Sequence, residues 1–191
     1  ARADSYETAL APSVGPTVSR WRVEQAPPTD AELTDVRDLD TGATVRRYAR
    51  EGPDWYHLEP IESEFDAAAL RVLAAAYERL AAGTVAGGER APGRAIRAAV
   101  SDARADDEQH DGGDSSLPVE QLGTVLAKHT RGHGLLADLF ADSRVSDVFV
   151  TAPASDNRLR VTADGETLVT NVRPTERAIR GLSSRFRRES G

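Results

Sequence analysis

The sequence predicts an α+β fold: a helical and hairpin N-terminal segment, an acidic linker, then a compact α-α-β-β-β-α module. Three observations lead there. Residues 63–82 are alanine-rich, with Phe65, Leu70, Leu73, Tyr77 and Leu80 at steps that place them on one helical face. Two β-like runs, 158–163 and 167–172, are joined by Asp164-Gly165, a strong hairpin signal. The chain has 39 Leu, Ile, Val and Phe residues; 21 of them fall in 117–191 and only three, Val85, Ile96 and Val100, in 83–116. The late segment can bury a core, and the segment before it cannot bury much.

Each element follows from local chemistry. Residues 1–43 lack apolar periodicity and contain Pro12, Pro16, Pro27 and Pro28, so they read as an extended or disordered lead, with a short strand near Val18–Val23. Thr44–Ala49 and Trp55–Leu58 read as strands of a small hairpin around the turn Glu51-Gly52-Pro53-Asp54. The helix over 63–82 opens on Ser63 and Asp66, spaced as a capping box with a shorter acid, and Gly83 supplies its stop. With the hairpin it forms a segment over 44–83. Residues 84–116 read as a flexible acidic linker. A short helix is expected from Pro92 to Arg104, and Asp106, Asp107, Glu108, Asp111 and Asp114 crowd its end.

The module over 117–191 begins with a helix from Pro118 to Thr130, with Leu122, Val125, Leu126 and His129 facing inward. Leu135–Ala141 forms a second, short helix. Strands follow at 145–151, 158–163 and 167–172, then a helix from Pro174 with Ile179, Leu182 and Phe186 as its stripe.

Composition excludes several chemistries. The chain has 191 residues, 24 basic and 31 acidic, for a net charge of −7; 23 of the bases are Arg and Lys128 is the only Lys. There is no Cys, so disulfide, zinc-thiolate and thiol chemistry are absent. Lys128 sits between Ala127 and His129 rather than after a glycine run, so it does not belong to a P-loop. No apolar run approaches the length of a membrane span. The chain has no Met, not even at position 1, so a fragment or processed product of a longer protein is expected. Acid-rich, Lys-poor, Ala-rich usage fits either adaptation to high salt or a GC-rich genome. Residues 1–115 carry a net −9 and 116–191 a net +2, which does not favour nucleic-acid binding.

The candidate sites are few. His129 and His133 have the spacing of the two zinc-binding histidines on a HExxH helix, but Thr130 follows His129 and glycines flank His133, so no metal site is expected. Arg173, Arg177, Arg180, Arg185, Arg187 and Arg188 make the last 19 residues net +4; they suit either a solvated helix end or an anion or subunit contact. Arg158 and Arg160 share a face of a predicted strand, and Asp142 and Asp147 flank the first strand of the module. No catalytic residues are assigned, because no Ser/His/Asp order or carboxylate pair stands out.

The stretch from Gly132 to Val150 resembles part of the secretion ATPases of type II/IV systems. These include the archaeal pilus and archaellum motors and related conjugation ATPases. The shared pattern is a glycine pair, a leucine-rich turn ending in Asp, then a strand of the form V-x-D-V. Arg158–Val161 with Asp164-Gly165-Glu166 is similar to the family's next strand and hairpin. Leu168–Val172 resembles its L-x-T-N-V run, with Thr170-Asn171 the most specific element. Residues 185–191 resemble the close of the following helix, and Trp55–Pro60 the family's archaeal Y-x-L-E-P entry. The likeness covers roughly 44–82 and 117–191. It departs at His133, where the family often has an aromatic or apolar residue, and in the acidic linker.

The resemblance implies the N-terminal region of an archaeal, haloarchaeal-type, hexameric ATPase that powers assembly of a pilus, archaellum or secretion apparatus. It implies ATP and Mg in the parent, none bound by this chain alone, and no ATP hydrolysis by this chain alone. Implied partners are the C-terminal RecA-like motor domain, neighbouring subunits and a membrane platform protein, with no nucleic acid. The implied location is cytoplasmic, peripheral at the inner face of the membrane. Such domains can lend arginines to a nucleotide edge; the resemblance assigns that role to no particular arginine here, so cofactor-binding residues stay open. A motor-less adaptor and a small ligand-sensing α+β domain are the alternatives.

Overall fold

A computed structural model describes residues 21–86, 88–107, 117–176 and 178–182. The fold is α+β. In chain order the strands and helices are β1 (Trp21–Val23), β2 (Glu32–Asp38), β3 (Thr44–Ala49), β4 (Trp55–Glu59), α1 (Ala67–Ala81), α2 (Ala91–Asp107), α3 (Val119–Thr130), α4 (Leu136–Ala141), β5 (Val145–Phe149), β6 (Arg160–Ala163), β7 (Glu166–Thr170) and β8 (Val172–Pro174). Short 3₁₀ turns, Ile61–Glu64 and Gly88–Arg90, precede α1 and α2. The chain forms two compact units. One contains residues 20–60 and 135–191, the other residues 61–134. This division cuts across the expected segments 44–83 and 117–191.

The first unit is built on a six-stranded sheet of order β2-β3-β4-β7-β6-β5, with a separate antiparallel pair β1-β8. Two antiparallel meanders, β2-β3-β4 and β5-β6-β7, meet at a parallel contact where Trp55 lies beside Val169 and Tyr56 beside Thr170. The predicted hairpins β3-β4 and β6-β7 are both present. At the β6-β7 turn Asp164 and Gly165 both have positive φ, 52° and 79°, as a type I′ turn requires. β4 is central and buried along nearly its whole length, so Trp55, Tyr56, His57 and Leu58 are all in the interior. Leu135, Leu136 and Leu139 of the α4 region, with Val161, Leu168 and Val172, complete this unit's core.

β1 falls in the short strand expected near Val18–Val23, whereas the extended or disordered lead expected over 1–43 is corrected by β2; residues 1–20 lie outside the described set. β2 was hidden because it is an edge strand with three acids and a bulge between Leu33 and Asp35, and most of its residues are exposed. The run predicted over 167–172 divides into β7 and β8, which belong to different sheets. Helical residues resume at 176 and are described to 182; Pro174, the expected helix start, belongs to β8, and Phe186 lies outside the described residues.

The second unit is helical. α1 packs on α2, and α2 on α3. The contact surfaces are lined with small side chains: Ala69, Ala74 and Ala76 on α1, Ala95 and Ala99 on α2. Val72, Leu73, Ile96, Leu122, Val125 and Leu126 provide the bulk. A Cβ on Gly123 would lie 3.8 Å from the Gly93 Cα, which shows how closely α2 and α3 approach. The true N-cap of α1 is Asp66, whose carboxylate accepts from the Ala69 N–H at 2.7 Å; the expected start at Ser63 instead falls in the 3₁₀ turn. The short helix expected from Pro92 to Arg104 is present as the longer α2, of 17 residues, and the flexible linker expected over 84–116 is corrected, since Ala95, Ile96, Ala99 and Val100 of α2 are buried. Its core face relies on alanines, which an apolar count overlooks. Residues 108–116 lie outside the described set.

Candidate functional site

Three buried polar centres stand out, two in the sheet unit and one in the helical unit. The first is Asn171. Its side-chain oxygen accepts from the Leu58 N–H at 2.8 Å, and its amide donates to the Leu58 carbonyl at 2.9 Å and the Glu24 carbonyl at 2.9 Å. The Glu24 N–H donates in turn to the Asn171 carbonyl at 3.0 Å. Beside it, the Thr170 hydroxyl donates to the Leu159 carbonyl at 2.9 Å and accepts from the Val172 N–H at 3.1 Å. Both side chains are fully buried. Thr170-Asn171 therefore closes the gap where the chain leaves β7 for β8, and it supplies backbone partners that neither sheet offers there.

The second centre is Asp142. Its carboxylate accepts from the Tyr56 hydroxyl at 2.9 Å, the Arg37 guanidinium at 2.7 Å and the Arg144 N–H at 3.1 Å. Burial and the adjacent Asp142 charge push the Tyr56 phenol far above its ordinary pKa, so it is a donor and not a base. Arg37 also meets Asp35, and Arg144 meets Asp35 and Asp164. Arg47 bridges Asp54 and Glu166. These groups line a cleft of about 290 Å³. The cleft gathers polar groups from distant parts of the sequence, and each of its arginines already has a carboxylate.

On the neighbouring part of this unit, Arg158 lies over the Trp55 ring at 4.8 Å and pairs with Glu24, which also meets Arg173 at 3.4 Å. Burial lowers the Arg158 pKa, and Glu24 offsets part of that cost. His57 is buried edge-on to Tyr48, with ring centroids 6.0 Å apart; burial lowers its pKa, which favours the neutral ring.

The third centre lies in the helical unit. Glu62, fully buried, accepts from the Lys128 Nζ at 2.6 Å and meets the His129 Nε2 at 2.7 Å. Burial opposes ionisation of Glu62. The Lys128 and His129 contacts outweigh it and hold the carboxyl well below its usual range.

The predicted site residues are placed as follows. His129 is held by Glu62, while His133 lies past the end of α3, so the two no longer share a helical face. Asp142 is the buried hub described above; Asp147 is exposed on β5 and accepts from Ser146. Arg158 precedes β6 and stacks on Trp55, whereas Arg160 is the first residue of β6. Arg173 donates to the Asp156 carbonyl at 2.6 Å. Arg180 pairs with Glu176 one helical turn away, both largely exposed. Arg177, Arg185, Arg187 and Arg188 lie outside the described side chains.

Glu62, Glu24 and Arg37 went unremarked in the sequence, and Tyr56 entered only as part of the Y-x-L-E-P run. The single lysine was the one available signal, since a chain that otherwise uses arginine keeps one ammonium where it is buried against a carboxylate. Among the described residues no helix is long and apolar enough to cross a membrane, and no group of three or more His, Asp or Glu side chains could hold a metal. No protein-family model matches the chain, and a search of curated proteins finds no match.

Proposed function

We propose that this chain is the N-terminal regulatory and docking region of a hexameric type II/IV secretion ATPase. One observation carries the reading. Two runs that resemble that family, Trp55–Pro60 and Leu168–Val172 with its Thr170-Asn171 pair, are more than a hundred residues apart in sequence, yet lie side by side in the sheet. Asn171 stitches them together through both backbone groups of Leu58. Residues selected together for one structural joint account for both motifs at once.

In this reading the sheet unit is a rigid platform. It rides on a C-terminal RecA-like motor, contacts neighbouring subunits and couples ATP binding, with Mg, to a membrane platform protein. The assembly works at the cytoplasmic face of the membrane of an archaeon, and a salt-adapted host suits the acidic composition. ATP hydrolysis belongs to the motor and not to this chain.

The test is the full-length gene product. A GxxxxGK[S/T] loop within about a hundred residues after Gly191, and ATPase activity that falls when Asn171 is replaced, support the reading. A reading frame that closes without that loop ends it and leaves the motor-less adaptor. A ligand-sensing domain has the 290 Å³ cleft in its favour. A thermal shift of the 191-residue chain with small zwitterionic ligands, abolished by Arg47→Ala, distinguishes that case.

A further inference from the structure

The face of α2 opposite its core carries arginines in register. Arg90 at the entry to the helix, Arg97 and Arg104 are spaced by seven residues, and Arg94 sits one turn from each of the first two. At 3.6 residues per turn they fall within an arc of about 80° and extend along about 20 Å of helix. Ala95, Ile96 and Ala99 point the other way and are buried, and buried Val100 lies beside the stripe. All four arginines are exposed, and among the described residues none has an ion-pair partner.

Among the other described arginines, Arg50, Arg71, Arg131 and Arg160 also have no ion pair, but they are not aligned on one helical face. Arg37, Arg46, Arg47, Arg79, Arg144 and Arg158 each pair with an Asp or Glu. The stripe also borders a groove of about 550 Å³, lined by Arg97, Val100, Ser101, Arg104, Ala105 and Val119. Its floor is small and apolar, and arginines stand on its rim.

We propose that this face of α2 docks an acidic amphipathic α-helix of a partner protein. The repeat decides the class of partner. A helix with carboxylates every seventh residue presents one to each of Arg90, Arg97 and Arg104, and its intervening apolar side chains enter the groove. A phosphate backbone has no such repeat, and no aromatic side chain is interleaved for base stacking. A membrane surface would call for Trp, Phe or Leu along the stripe, and it has none. The inference does not depend on the family reading.

The probe is a fluorescein-labelled helical peptide with Glu at every seventh position and Leu four residues after each. A control peptide of the same composition has its acids moved to other faces. Fluorescence anisotropy with the 191-residue chain reads binding. The expected result is saturable binding that weakens with salt, is about tenfold weaker for the control, and is about tenfold weaker for Arg97→Glu/Arg104→Glu. A peptide with Arg in place of Glu should bind that double variant and not the parent chain. Because both residues are exposed, an unchanged far-UV melt accompanies the double variant, and Arg97→Glu and Arg104→Glu tested singly give the same direction. The proposal is overturned if the control binds as well as the probe, or if the double variant keeps its affinity. It is also overturned if a short DNA duplex, or vesicles of phosphatidylcholine and phosphatidylglycerol, bind the stripe more tightly than the peptide.

Discussion

Replacing Glu62 by Gln removes the negative charge that lies between Lys128 and His129. The geometry sets the size of the effect. Both carboxylate oxygens are used, Oε2 by Lys128 at 2.6 Å and Oε1 by His129 at 2.7 Å, and the carboxyl is fully buried. An amide keeps one oxygen and turns an N–H₂ toward the other partner, so one contact is lost outright. The ammonium of Lys128, only 8% exposed, then loses the Glu62 carboxylate to which it donates. Breaking one side of a buried ion pair costs about 3–5 kcal/mol, a large share of the roughly 5 kcal/mol that holds a small domain together.

The assay is urea unfolding followed by far-UV CD, since α1, α2 and α3 all belong to the helical unit. Trp21 and Trp55 are in the sheet unit, so tryptophan fluorescence provides a second readout. With a slope of about 1 kcal/mol per molar urea, the CD midpoint should fall by about 3 M. Replacing all three groups (Glu62→Leu, Lys128→Met and His129→Leu together) should cost less than Glu62→Gln alone, because no charge is left stranded. The pH dependence follows from the sign of the shift. The folded carboxyl titrates below its reference value of 4.5, so its stabilising contribution is complete above that value and is lost as pH falls through the folded value. The gap between wild type and Glu62→Gln should therefore be constant near neutral pH and narrow in acid. A midpoint change under about 1 M, or a gap that does not narrow in acid, refutes the reasoning.

Three further outcomes follow from the same kind of reading. Asn171→Ala should cost about 3 kcal/mol or more, because it strands the Leu58 N–H and the Leu58 and Glu24 carbonyls in the interior. Tryptophan fluorescence in a urea titration reads it through neighbouring Trp55, and a loss under about 1 kcal/mol would show that those groups find other partners. Tyr56→Phe should cost about 1–2 kcal/mol in the same titration, because Asp142 loses one of three donors but keeps Arg37 and the Arg144 N–H. Gly132→Ala should cost about 1–3 kcal/mol by CD melting, since its Cβ would come within 2.9 Å of the Lys128 carbonyl oxygen, a backbone atom that cannot swing aside. A neutral result at Gly132 would mean that the end of α3 relaxes freely.

The legible parts of the fold were those whose signal is local. Asp164-Gly165 announced its hairpin because a two-residue turn needs two positive φ values. The stripe of Leu122, Val125 and Leu126 announced α3 because burial follows the helical period. The missed parts owe their order to distant partners. β2 is mostly exposed, with acids at both ends, and is a strand because β3 pairs with it. α2 was legible as a short helix but not as part of a core, because it carries Ile96 and Val100 as its only large aliphatic side chains and packs through alanine and glycine, so its apolar signal is thin. The site followed the same rule: His129 could be placed on the inward face of a helix, but its partner Glu62 lies 67 residues earlier, in a 3₁₀ turn with no periodicity to reveal it.

The reading of 117–191 as self-contained failed for a reason that bears on function. β7 needs a neighbour on its far side, and that neighbour is β4. A parallel pair cannot be closed by a tight turn, so the two strands must come from separate stretches of chain. Here the intervening chain, residues 61–134, makes a unit of its own. The joint between β4 and β7 is only two residue pairs long, Trp55 with Val169 and Tyr56 with Thr170. So short a ladder provides little hold, and side chains supply the rest: Asn171 satisfies both backbone groups of Leu58, and Tyr56 is tied to Asp142. The places where this sequence is most specific are therefore the places where its sheet has the fewest backbone bonds. Weakening the joint should separate the two meanders before either loses its own hairpins, and amide exchange at Leu58 and Val169, whose N–H groups donate across it to the Asn171 side chain and the Asp54 carbonyl, measures that opening directly. Exchange there as slow as at Val161, inside the β6-β7 hairpin, would show that the parallel contact is no weaker than the meanders it joins.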